Sequence, residues 1–170
     1  MSILTYPLGF IGGGKEFYNA VMENSARFNV ADSTYLKRTT KAGGNEDKWT
    51  ASWWVKRGTL SGTMGMIGAQ PAASPYSDNY SIVDFNTSDK IFWQSAVSDS
   101  ATGGVTSDGV FRDPSAWYHL VVRYDSVDSI AADRYMLWIN GERQSVTIGN
   151  ALEASADSEW MNEGREAIIG

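Results

Sequence analysis

Hydrophobic and polar residues alternate with a period of two along several short stretches of this chain, and that alternation predicts β-strands. Residues 48–56 (KWTASWWVK) put Trp49, Ala51, Trp53 and Val55 on one face and Thr50, Ser52, Trp54 and Lys56 on the other. Residues 117–125 (WYHLVVRYD) set Tyr118, Leu120, Val122 and Tyr124 against Trp117, His119, Val121 and Arg123. Residues 134–139 (RYMLWI) run into Asn140-Gly141, the strongest two-residue hairpin signal, and residues 143–148 return as the partner strand. Further strands are predicted at 25–30, 34–39, 63–70 and from 166. Residues 80–85 and 90–94 form a hairpin across 86–89. Loops fall at 41–47 (KAGGNED), at 71–79 with two prolines, and over the polar stretch 149–165. Residues 95–109 are small and polar, contain Gly103-Gly104, and read as a mobile loop.

No long segment carries a 3.6-residue period. Roughly ten short strands with Gly-rich turns predict an all-β fold: a two-sheet antiparallel β-sandwich of jelly-roll type over residues 25–170. Residues 1–24 are different in kind. Gly12, Gly13 and Gly14 make a flexible link, and 16–23 (EFYNAVME) has enough helical character for one or two turns. Two readings stay open: a tethered terminus, or an assembly arm that docks on a neighbouring subunit through Tyr6, Phe10, Phe17 and Tyr18.

The 170 residues suffice for one domain and one real core, with about 70% of the unfolded surface hidden. Fourteen basic against twenty acidic residues give a net charge of −6, which points away from a nucleic-acid backbone as partner. The chain has no cysteine, so disulfides and thiolate chemistry are excluded. The start lacks the basic and apolar regions of a signal peptide, and no stretch approaches the roughly 20 apolar residues of a membrane span, so membrane insertion is not expected.

His119 is the single histidine and lies inside the clearest strand, where it reads as a side chain satisfied on a sheet face. Glycoside hydrolysis needs two close carboxyl groups. Glu153, Asp157, Glu159, Glu163 and Glu166 sit in polar sequence without a β-branched framework and read as a solvated loop, so no catalytic residues are assigned and the protein is expected not to be an enzyme. Asp125 and Asp128 flank one loop, and Asp108, Asp113 and Asp133 lie in others. Loop carboxylates of this kind hold calcium on some sandwiches, but the spacing is not that of an EF-hand. No metal or cofactor is assigned, with calcium kept as an alternative.

The aromatic faces say more. With Trp53 and Leu137 facing the core, Trp54, Trp117, Met136 and Trp138 point away from it. Large apolar side chains on a second face are either covered, by the same chain or a partner subunit, or used. The use they suit is stacking on sugar rings, with neighbouring Ser, Asn and Arg bonding the hydroxyls.

Residues 48–58 (KWTASWWVKRG), 110–125 (VFRDPSAWYHLVVRYD) and 134–142 (RYMLWINGE) resemble the laminin-G-like, concanavalin A-like lectin/glucanase superfamily. The features that carry it are a strand ending in W-V-K, a W-x-H-hydrophobic strand, and a strand closing on N-G, within about residues 25–170. A narrower similarity is to such domains in bacteriophage virion proteins. It rests on residues 25–39 (SARFNVADSTYLKRT), the W-V-K-R-G block and FRDPSAWYHLVV occurring in this order, with Phe17-Tyr18 ahead of them.

The resemblance implies a concanavalin A-like sandwich located in the virion, as tail fibre, tail appendage or capsid decoration. It implies other virion proteins as partners, a homo-oligomer with a trimer favoured, and a host-surface glycan as a further partner. The alternatives are a carbohydrate-binding lectin module and, behind it, a polysaccharide-acting glycoside hydrolase. The family's glucanase carboxylates have no matching positions here. The family also continues beyond a segment like residues 168–170 with further strands, so the sandwich is expected to lack its final strands or to be completed by another segment.

Overall fold

The computed structural model describes residues 24–41, 44–71, 79–97, 100–150, 152–158 and 165–170. Among the described residues, eleven strands run in chain order: β1 Leu36–Thr39, β2 Lys48–Lys56, β3 Met64–Pro71, β4 Asn79–Phe85, β5 Ile91–Val97, β6 Ser100–Ser107, β7 Trp117–Asp125, β8 Tyr135–Ile139, β9 Glu142–Arg143, β10 Val146–Asn150 and β11 Arg165–Ile169. They form a seven-stranded sheet in the order β1-β11-β3-β4-β5-β6-β10 and a four-stranded sheet in the order β2-β7-β8-β9. Every pairing is antiparallel. The protein is the antiparallel two-sheet sandwich that the alternation predicts.

The core fills the space between the sheets. Trp49, Leu120, Val122, Tyr124, Tyr135 and Leu137 of the smaller sheet meet Ile67, Val83, Phe85, Trp93 and Val105 of the larger one. Its centre is aromatic: Trp93 and Tyr135 approach to 4.6 Å between ring centroids, and Tyr124 meets Tyr135 edge-on at 5.0 Å. Trp53 packs against this cluster and Leu137 is buried in it, as the alternation requires.

Four strands cannot roof seven. The register lines up Leu36, Ile169, Ile67, Val83, Trp93, Val105 and Ile148 in one row across the inner face of the large sheet. The central members are buried, whereas Leu36, Ile169 and Ile148 keep 58%, 47% and 48% of their surface exposed. The large sheet therefore overhangs on both sides.

Three local expectations are corrected. Residues 95–109 contain β6, paired with β5 on one side and β10 on the other. Its small residues follow from close packing rather than mobility: a Cβ on Gly103 would lie 2.6 Å from the Tyr135 hydroxyl. Residues 25–30 form no strand. A 3-10 turn occupies Val30–Asp32, held by Asn29, whose side-chain amide donates to Asp32 Oδ2 at 2.6 Å and whose Oδ1 accepts the Ala31 N–H at 3.2 Å. The return strand expected at 143–148 is split: after two residues on β8 the chain crosses to the large sheet as β10. The turn ahead of it is as predicted, with Asn140 at φ 51° and Gly141 at φ 85°. The last strand, β11, is paired on both sides, with β1 and with β3.

A buried ion cluster ties three loops together. Arg57 donates from Nη1 to Asp89 Oδ1 at 2.8 Å and to the Phe111 carbonyl at 2.7 Å. Asp89 also accepts the Ser61 N–H at 2.6 Å and Arg112 Nε at 2.9 Å. These donors, the Ser61 N–H first, hold the Asp89 carboxyl down at about 2.

Candidate functional site

Strands β2, β7 and β8 each turn one set of side chains into the core and the other set outward. The outward set on β2 includes Ser52, Trp54 and Lys56. On β7 it is Trp117, His119, Val121 and Arg123, and on β8 it is Met136 and Trp138. Trp54 faces His119 across the β2–β7 pair, and Val121 faces Trp138 across the β7–β8 pair. Trp117 stands one step further along β7, opposite Lys56.

The result is an open groove of about 620 Å³ on the outer face of the small sheet. It is lined by Trp54, Trp117, His119, Val121, Trp138 and the Asn140-Gly141 turn. Trp54 and Trp117 remain 37% and 46% exposed, so their rings are available to a ligand. The polar equipment is fixed in place. The His119 N–H donates to Asn140 Oδ1 at 2.8 Å, and Ser52 Oγ lies 2.8 Å from His119 Nε2. The Trp54 and His119 rings stack with centroids 4.9 Å apart and 25° between planes.

Three of the four residues expected on this face, Trp54, Trp117 and Trp138, thus come together. Met136 shares the face but lies outside the groove: its Sδ is 3.7 Å from Arg123 Nη1 and it is half-buried. His119, Val121 and Asn140 complete the site. Their signal was present, because His119 and Val121 have the same parity as Trp117, and Asn140 follows Trp138 by two. Tyr6, Phe10, Phe17 and Tyr18 lie outside the described residues.

The candidate calcium carboxylates face hydrogen-bond donors. Arg123 Nη2 reaches Asp125 at 2.6 Å and Asp128 at 3.6 Å, and Lys48 approaches Asp125 at 3.3 Å. Asp133 pairs with Arg143 and Asp108 accepts from Thr147. The Asp113 carboxyl is lowered by hydrogen bonds from the Ser115 side chain and backbone. Among the described residues, no three His, Asp or Glu gather where they could share an ion, and no helix there is long and apolar enough to cross a membrane. Burial raises Asp84 to about 6, but Asp84 sits on the outer face of the other sheet and takes no part in the groove.

Two antiparallel sheets enclosing an aromatic core, with an apolar groove outside the smaller one, define a lectin-like β-sandwich. The chain belongs to the concanavalin A-like lectin/glucanases superfamily, whose laminin-G-type family model matches residues 28–167. No curated protein matches the chain. Among solved structures it is similar to the CBM40 module of the Ruminococcus gnavus IT-sialidase bound to alpha2,3 sialyllactose. The TM-score is 0.52 at 11% identity, with 73% of this chain and 64% of that chain covered. A second structure of that CBM40 gives a TM-score of 0.54 at 10% identity, covering 74% of this chain and 64% of that one. The likeness is one of fold, and the chain spans less than two thirds of the length of these relatives.

Proposed function

We propose that this protein is a non-catalytic, lectin-like module that binds carbohydrate in the groove of the small sheet and works on the surface of a bacteriophage particle. The observation that carries the binding reading is the grouping of Trp54, Trp117 and Trp138 around His119. Flat indole surfaces accept the apolar face of a pyranose, while Asn140, His119 and Ser52 bond its hydroxyls. The sandwich likeness to a carbohydrate-binding module is compatible with this use. The setting rests on the similarity of residues 25–39, 54–58 and 111–122 to domains of virion proteins. There the module is a tail fibre, appendage or capsid decoration in a homo-oligomer, a trimer being favoured, with host glycan as its target.

A glycan array tests the binding. Trp138→Ala should weaken binding about tenfold or more while the melting temperature holds, because Trp138 points out of the core. An array blank at high protein concentration counts against the reading. Release of new reducing ends from polysaccharide by the purified protein would overturn the non-catalytic part. Particle incorporation of a chain lacking residues 1–24 tests the attachment arm: loss is expected, and normal incorporation removes that role.

A further inference from the structure

His119 lines the groove with its side chain buried. Its main chain is held by a reciprocal pair with Asn140: its N–H donates to Asn140 Oδ1, and its carbonyl accepts the Asn140 N–H at 2.8 Å. Its Nε2 is 2.8 Å from Ser52 Oγ, which fixes the rotation of the imidazole. The Trp54 indole lies nearly flat against this fixed ring, at 4.9 Å and 25°.

An exposed Trp on a strand ordinarily samples several rotamers, and ordering it on binding costs affinity. A ring held behind Trp54 removes that cost and leaves the opposite indole face toward the groove. We propose that His119 is a positioning residue that presets the Trp54 ring for stacking on a sugar, and that proton uptake by His119 modulates this contact. The proposal deepens the reading of the groove as a glycan site and rests on it.

The chemistry of the pair supports the second part. A neutral imidazole Nε2 either donates to or accepts from Ser52; the imidazolium only donates, and it lays a cation against the Trp54 face. The charged side chains on this outer face are few. Lys56 is on β2 and Arg123 on β7, both cationic; Asp125 at the end of β7 is held by Arg123 and Lys48; Arg143 on β9 is turned to Asp133. The outward positions of β8, Met136 and Trp138, carry no charge, and neither does Asn140. The ring is thus flanked by neutral groups and by cations that act on carboxylates of their own, Lys56 on Asp113 among them.

The test uses His119→Ala, His119→Phe, Ser52→Ala and Trp54→Phe, each compared with wild type in thermal unfolding. Without ligand, tryptophan emission is followed from neutral to mildly acidic pH. Wild type should show a pH-dependent change that His119→Phe and Trp54→Phe abolish. Persistence of the change in Trp54→Phe overturns the proposal.

Binding of lactose and of alpha2,3 sialyllactose is then measured by titration calorimetry. His119→Ala should bind about three- to tenfold more weakly, the worth of one aromatic stack. His119→Phe, which keeps a planar ring behind Trp54 but no hydrogen-bonding nitrogen, should lose less affinity than His119→Ala. Equal losses in both variants overturn the positioning role. Ser52→Ala, which leaves the core untouched, should give an intermediate loss and stands in if His119→Ala fails to fold. If wild type binds neither sugar, the glycan reading on which the positioning role rests fails with it, while the emission result separately decides whether His119 and Trp54 are coupled.

Discussion

Asp84 lies on the outer face of the large sheet, between Gly65 on β3 and Phe92 on β5. Its side chain is buried, and Oδ1 has no hydrogen-bond partner. Burial without a partner disfavours the charged form, which raises the carboxyl from 3.8 to about 6. The sign follows by linkage. The folded state holds this proton more tightly than the unfolded chain, so Asp84 subtracts stability as pH rises from about 3.8 to 6, and the loss persists above that range. A difference of roughly 2 pH units corresponds to about 3 kcal/mol at most. Screening by water that still reaches the rim of the side chain brings the expectation to about 1–2 kcal/mol. Urea unfolding of wild type and Asp84→Asn at pH 7.5 and 4.5 measures it. Wild type should gain about 1 kcal/mol relative to the variant on acidification, roughly two thirds of the full effect, because the unfolded carboxyl is still largely ionised at pH 4.5. Taking the difference between the two proteins removes Asp89 and Asp113, whose lowered carboxyls tilt the profile the other way. Parallel pH profiles for the two proteins would refute the reasoning.

Gly103→Ala forces a methyl into the Tyr135 ring and should cost about 1–3 kcal/mol by overpacking, read as a melting temperature lowered by several degrees; an unchanged midpoint means β6 packs more loosely than described. Asp89→Asn leaves the buried Arg57 without its counter-charge and should destabilise the protein at neutral pH. The wild-type contribution of Asp89 is present above about 3.8 and lost as pH falls through about 2, so the gap between wild type and variant should close in strong acid. Calorimetry across that range checks both statements.

The strands at 48–56 and 117–125 were legible because bulky residues alternate with polar ones over nine positions each, enough to reveal the period. Asn140-Gly141 was legible because both residues tolerate a positive φ. β6 was not, because SATGGVTS carries little of the branched or aromatic bulk that marks a strand. Its Gly103 answers to Tyr135, which is 32 residues away in the chain. The crossing from β9 to β10 was hidden for a similar reason: which sheet a strand joins depends on space left by other strands, not on its own pattern. Three groove tryptophans followed from parity alone. The place of His119 beneath Trp54 needed the β2–β7 register, which no single strand contains.

The outward and inward residues of β2, β7 and β8 alternate one by one, so neighbours in the chain answer to different demands. Exchange of Trp54 or Trp138 changes what the surface can hold, whereas exchange of Leu120 or Leu137 changes whether there is a surface. Groove positions can therefore be varied in a library, across even numbers on β2 and β8 and odd numbers on β7, with the interior left as it stands. Such a scaffold separates adaptability from durability at the level of the individual peptide unit.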